Sequence, residues 1–284
     1  MKLSTHHRRG RRAMVIAGVA ATLALVPATS DAVAPTGSAP ASGGTDKPTI
    51  VLVHGAWADA SSFAPVTALL QSHGYTVFSA PNPLRGLGAD AASVAAFVDQ
   101  ATTGPVVLVG HSYGGAVITN AARSVPRVAG LVYIDAFAPA ADETVVQLTG
   151  AHPGSVLAAD PATVFDVVQD PSLPQGDPNL YVKRTLFPAA FAARLPRAVG
   201  ATLAAAQSPI AAGALNEPSG APAWATIRSW FFIGADDRVI PAAEQEAMAA
   251  RAGSVTVTGK TDHLAMLEAP DAVTALIERA ASGK

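Results

Sequence analysis

From Pro48 onward the chain alternates between two kinds of segment. Short apolar runs rich in Val, Ile, Phe and Thr end in a turn, and each is followed by a longer stretch whose apolar positions recur at helical spacing. Apolar runs without polar alternation suit strands covered on both faces, so the pattern predicts a parallel sheet with crossover helices. The predicted strands are residues 50–53, 76–79, 106–109, 130–134, 229–233 and 255–258. The predicted helices are 63–72, 89–100, 114–124, 241–252 and 271–281, with Pro241 and Asp271 suited to a first helical turn. This is an α/β fold built on a mostly parallel, doubly wound sheet. No internal repeat is visible.

The alternation breaks between residues 139 and 225. Pro153, Pro161, Pro171, Pro174 and Pro178 punctuate this stretch, with short apolar helical pieces at 162–168 and 187–206. An insertion between two strands of an open α/β sheet falls over their carboxyl ends, where such sheets bind ligands, so the stretch is predicted to be a helical lid. Residues 48–138 and 226–284 then form the core and 139–225 the cap.

The start of the chain follows other rules. Arg8, Arg9, Arg11 and Arg12 precede a nearly unbroken apolar run at 13–26, and small residues follow around Ser30 and Ala32. This predicts a secretory signal peptide over 1–32 and a secreted protein. The run is shorter than the roughly 20 residues of a membrane span, so no stable anchor is expected once the signal is cleaved. Arg11-Arg12 resembles a twin-arginine leader, with Gly10 where Ser or Thr usually stands, and leaves both export routes open. Residues 33–47, rich in Pro, Gly, Ser and Ala, read as a flexible linker.

Composition narrows the chemistry. The 284 residues are half apolar, enough for one large core. The formal charge of −2 becomes more acidic if the leader is lost, because Lys2 and the four arginines leave with only Asp31, so no attraction to nucleic acid is expected. There is no Cys, which excludes disulfides, thiolate metal sites and a cysteine nucleophile. Chemistry is left to Ser, His and carboxylates, with no metal or organic cofactor expected.

An apolar strand, Val106 to Val109, runs into Gly110-His111-Ser112-Tyr113-Gly114 and then into a helix. A serine on such a tight strand-to-helix turn projects its hydroxyl above the sheet, and the glycines let the two backbones approach. Ser112 is therefore the candidate nucleophile. Its hydroxyl needs a base. His6 and His7 lie in the leader, His73 ends a helix, His152 lies in the insertion, His54 suits a satisfied loop position, and His111 is expected to turn away from Ser112. His263, after the last strand, remains as the general base. A carboxylate must orient its ring, and Asp236 or Asp237, after the strand at 229–233, completes the chain order Ser, Asp, His; Asp135 is a third candidate. Backbone N–H groups of Ala56 and Tyr113 are placed to hold an oxyanion. Trp57, Phe165, Phe187 and Phe191 suggest an apolar pocket.

With those residues assembled, the chain from Pro48 to its end resembles the α/β-hydrolase superfamily, and within it the esterase and hydroxynitrile lyase branch. The motifs that carry the likeness are His54-Gly-Ala-Trp57, Gly110-His-Ser-Tyr-Gly-Gly115, Gly234-Ala-Asp-Asp-Arg-Val-Ile-Pro241 and Asp262-His-Leu-Ala-Met-Leu267. The resemblance favours Asp237 over Asp236 as the acid, since Asp237 directly precedes the Arg-Val-Ile-Pro run. Lyases of this type carry Lys after the catalytic His and Thr in the oxyanion loop, where this chain has Leu264 and Gly55. The resemblance thus implies hydrolysis of a small-molecule ester or lactone through an acyl-enzyme. Cofactor-free perhydrolases share the motifs, and some plant relatives act as receptors.

Overall fold

A computed structural model describes residues 47–284. The expected signal peptide, and the linker up to residue 46, lie outside the described residues. In chain order the elements are β1 Thr49–Val53, α1 Ala64–Ser72, β2 Val77–Ser79, α2 Leu87–Ala101, β3 Val106–His111, α3 Tyr113–Ala121 and β4 Val128–Ile134. The insertion holds α4 Val145–Ala151, α5 Pro161–Val164, β5 Phe165–Val168, β6 Asn179–Val182, α6 Phe187–Phe191, α7 Arg197–Ala205, β7 Ile210–Ala211 and α8 Ala212–Asn216. The core resumes with β8 Ser229–Gly234, α9 Ala242–Arg251, β9 Val255–Gly259, α10 Ala265–Glu268 and α11 Pro270–Ala281.

Six strands form one sheet in the order β2-β1-β3-β4-β8-β9, and every pairing is parallel. Burial explains the sequence pattern. β3 and β8 are buried at every residue, which a continuous apolar run permits, while β9 at the edge alternates between half-buried and exposed. On one face α1 packs with α11, and on the other α2 packs with α3. Strand order reverses between β1 and β3, because the chain leaves β1 for β2 on one side and returns to β3 on the other. The ends of β1 and β3 therefore border the crevice where open sheets of this kind bind ligands.

The insertion departs from the expected all-helical lid. Residues 162–168, read as one helical piece, divide into the short helix α5 and the strand β5, which pairs antiparallel with β6; β6 in turn pairs with β7. Val167 and Val168, β-branched and weak helix formers, extend against β6 instead. The stretch 187–206 likewise breaks into α6 and α7, with Pro196 at the N-cap of α7.

Candidate active site

Ser112 sits between β3 and α3 with φ 54° and ψ −124°, a left-handed region that side-chain-bearing residues seldom occupy. The surrounding backbone holds it there. Its N–H donates to the Ile134 carbonyl at 3.3 Å, and its own carbonyl accepts from Gly115 at 2.9 Å and Phe137 at 3.1 Å. The turn needs Gly110, since a Cβ there would lie 2.5 Å from the Gly114 carbonyl oxygen and 2.7 Å from the Gly115 nitrogen. A Cβ on Gly114 would likewise collide with the Val53 carbonyl at the end of β1.

Three side chains from three loops meet at this point. The Ser112 hydroxyl donates to His263 Nε2 at 3.0 Å, and His263 Nδ1–H donates to Asp237 Oδ2 at 2.8 Å. A carboxylate cannot donate, so Asp237 fixes the proton on Nδ1 and leaves Nε2 free to accept. Asp237 is itself organised by Val239 N–H at 2.7 Å and Ile240 N–H at 3.0 Å on Oδ1, and by the Gln245 amide at 2.8 Å on Oδ2. Burial pushes the Asp237 carboxyl above its ordinary range, and these donors oppose that by favouring the ionised form. Burial also drives His263 down, to about 3.

The two other acids weighed from the sequence go elsewhere. Asp236 is exposed on the far side of the loop and pairs with Arg194 of the insertion. Asp135 is fully buried beside Asp237, but its oxygens accept from Gly234 N–H at 2.7 Å and Ala265 N–H at 3.1 Å. It staples the end of β8 to the segment that follows the histidine. Burial first, then the Asp237 charge, raises its pKa.

Two groups at the site were not foreseen. Gln245 lies one turn into α9, where nothing in the sequence distinguishes it from a surface glutamine, yet it is fully buried. His111 turns toward His263: its Nε2 donates to the His263 carbonyl at 2.9 Å, and the two rings lie 4.8 Å apart. The other histidines among the described residues are taken up structurally, His54 with the Gly55 carbonyl, His73 with Glu278 and His152 with Glu244.

Ser112 opens onto a cavity of about 710 Å3, and Ala56 and Tyr113 line it beside the hydroxyl. Tyr113 begins α3, so its N–H has no acceptor within its own helix. The Ala56 loop is pinned by Asn82, whose amide donates to the His54 carbonyl at 2.7 Å. Trp57 adopts φ 58° and is held by its N–H on Ser208 and its indole N–H on Leu180. Trp57 and Phe165, stacked at 5.6 Å, form part of the cavity wall. Phe187 and Phe191, expected to line the pocket, are not among the lining residues: α6 buries both rings against each other behind that wall.

The chain belongs to the alpha/beta hydrolase family, whose model matches residues 50–276. It is 34% identical over 110 residues to a carbendazim hydrolyzing esterase of Nocardioides sp. (strain SG-4G), a stretch covering 34% of this chain and 46% of that protein. The chain thus spans less than half the length of this relative. Among solved structures it is similar to an extracellular alpha/beta-hydrolase from a Paenibacillus species, with TM-score 0.68, 23% identity, and 82% of this chain and 98% of that one covered. A pyrethroid hydrolase from Sphingobium faniae JZ-2 gives TM-score 0.64 and 22% identity, covering 83% and 97%. At these identities the two structures speak for the fold.

Proposed function

We propose that the protein is a serine esterase that hydrolyses uncharged carboxylic esters through an acyl-enzyme. The observation that carries this reading is the relay from Ser112 Oγ to His263 Nε2 at 3.0 Å and from His263 Nδ1 to Asp237 at 2.8 Å, with the hydroxyl opening onto an apolar cavity. The relative named for hydrolysis of carbendazim supports hydrolysis as the reaction.

In this reading Ser112 Oγ bonds to the ester carbonyl carbon while its proton passes to His263 Nε2. The carbonyl oxygen takes up negative charge against the N–H groups of Ala56 and Tyr113. The imidazolium, held by Asp237, returns the proton to the departing alcohol oxygen as the carbon–oxygen bond breaks. Water then attacks the acyl-enzyme with His263 again as base, releasing the acid and restoring Ser112.

Ser112→Ala is expected to lower turnover of a short nitrophenyl ester by about 10⁶-fold. A fluorophosphonate should label wild type at Ser112 and leave the variant unlabelled. A wild type that stays unlabelled and inert while binding a small molecule tightly would point to a receptor and overturn the proposal.

A further inference from the structure

Phe191, the last residue of α6, stands behind the cavity wall. Its ring meets the His263 imidazole edge to face, with centroids 5.2 Å apart and planes at 81°, and meets Trp57 at 5.8 Å. Phe187 stacks on it at 4.5 Å and fixes its orientation. Three residues on, Arg194 touches both loops of the relay. Its N–H donates to Asp262 Oδ2 at 3.0 Å, directly before the base, and its Nη1 donates to Asp236 Oδ2 at 3.1 Å, directly before the acid. Its Nε lies 3.4 Å from Glu268 Oε2, and the same oxygen accepts from Asp262 N–H at 3.2 Å.

We propose that residues 191–194 of the insertion brace and seal the base: Phe191 shuts water away from the His263 ring, and Arg194 ties the loop bearing His263 to the loop bearing Asp237. This rests on the reading of His263 as general base. The guanidinium suits the task because its rigid fork spans two acceptors that a single ammonium would serve less well. The Arg194 and Asp236 side chains are 42% and 47% exposed, so their ion pair adds little to stability. Its effect belongs in the alignment of the two loops, where a displacement of an ångström is costly to turnover. Burial and the neighbouring Asp262 push the Glu268 carboxyl up, to about 8, which eases the crowding of two acidic side chains beside Arg194.

The groups around the imidazole are Asp237 at Nδ1, Ser112 at Nε2, the rings of His111 and Phe191, Asp262 next in the chain, and Asp135 on the N–H two residues later. Asp262 favours a charged imidazole, as do Asp237 and Asp135 when ionised; His111 disfavours one when protonated, and the burial that Phe191 completes disfavours it too. Opening the ring to water therefore moves the pKa of His263 upward.

The test compares Phe191→Ala, Phe191→Leu, Arg194→Ala and Arg194→Lys with wild type on a short nitrophenyl ester across pH, with Tm recorded for each. Phe191→Ala is expected to lower kcat by about tenfold or more with KM little changed, and to shift the acid limb of kcat/KM upward; Leu should restore most of both. Arg194→Ala should lower kcat at unchanged KM and nearly unchanged Tm, with Lys recovering part. Folded variants with wild-type kcat and acid limb would overturn the proposal, as would losses confined to KM, which would make the segment a pocket wall. If Phe191→Ala does not fold, Phe191→Leu and Arg194→Ala decide the matter. A wild type that resists fluorophosphonate and hydrolyses no ester brings down the functional reading, whereas a labelled, active wild type with indifferent variants brings down the brace alone.

Discussion

His263 has none of its surface exposed, and the cost of placing a charge there pushes its pKa down to about 3 from an ordinary value of 6.5. The sign of the consequence follows from which form works. In the proposed mechanism neutral imidazole accepts the serine proton, so activity is expected to be retained below the ordinary histidine range and lost as pH falls through the lowered pKa. The acid limb of kcat/KM is accordingly expected to have its midpoint below 6.5, measured with a neutral ester on protein whose fold is checked at each pH. A midpoint at or above 6.5 would mean that the Asp237 and Asp262 charges outweigh burial. Ser112 and His263 were legible as single residues because each stands where chain order and element order require it. Gln245 and His111 were not, because their roles depend on what α9 and β3 are packed against.

Between neighbouring elements, the turn that carries Ser112 from β3 into α3 is tightly constrained, since three backbones crowd into the space that Gly110 and Gly114 leave open. A methyl at Gly110 would press on main-chain atoms of α3, which cannot rotate aside as a side-chain tip can. Gly110→Ala is therefore expected to cost about 1–3 kcal/mol in denaturant unfolding, while Gly150→Ala, in α4 with nothing within 4 Å of the added carbon, should be neutral or stabilising by up to about 1 kcal/mol. Equal midpoints for the two variants would show that the turn has slack. The same contrast between local and distant determinants governs legibility. All six core strands appear where the apolar runs place them, with ends shifted by up to two residues, because strands buried on both faces write an unbroken apolar run. β5 is not legible in the sequence: Phe165-Asp-Val-Val168 is short and interrupted by a charge, and only pairing with β6, more than ten residues later, makes it a strand.

At the scale of the whole molecule the insertion is fastened at several points around the site. Val156 N–H donates to the Arg238 carbonyl at 2.8 Å and Ser155 Oγ to the Val239 carbonyl at 2.7 Å, beside the acid; Trp57 N–H donates to the Ser208 carbonyl at 3.0 Å on the opposite side. Arg194 adds the link to the base. The cavity is thus shaped by walls tied to the core, and none of the described residues lining it carries a charged side chain. Of its few polar side chains, the Tyr113 hydroxyl donates to Asp90, the Thr149 hydroxyl to the Val145 carbonyl, the Ser112 hydroxyl to His263, and one Asn216 amide N–H to the Ala212 carbonyl. A carboxylate carried into this space on the acyl or alcohol group would lose hydration without gaining a cationic partner, a loss of several kcal/mol. Of two esters matched in size, one ending in a methyl group and one in a carboxylate, the neutral one is expected to have the larger kcat/KM by at least about 10²-fold, the lower end of what that desolvation implies. Measured at pH 7 with both substrates below saturation, equal values would mean that the substrate binds outside this cavity or that the insertion opens to let water in, and the uncharged-ester reading would then fail.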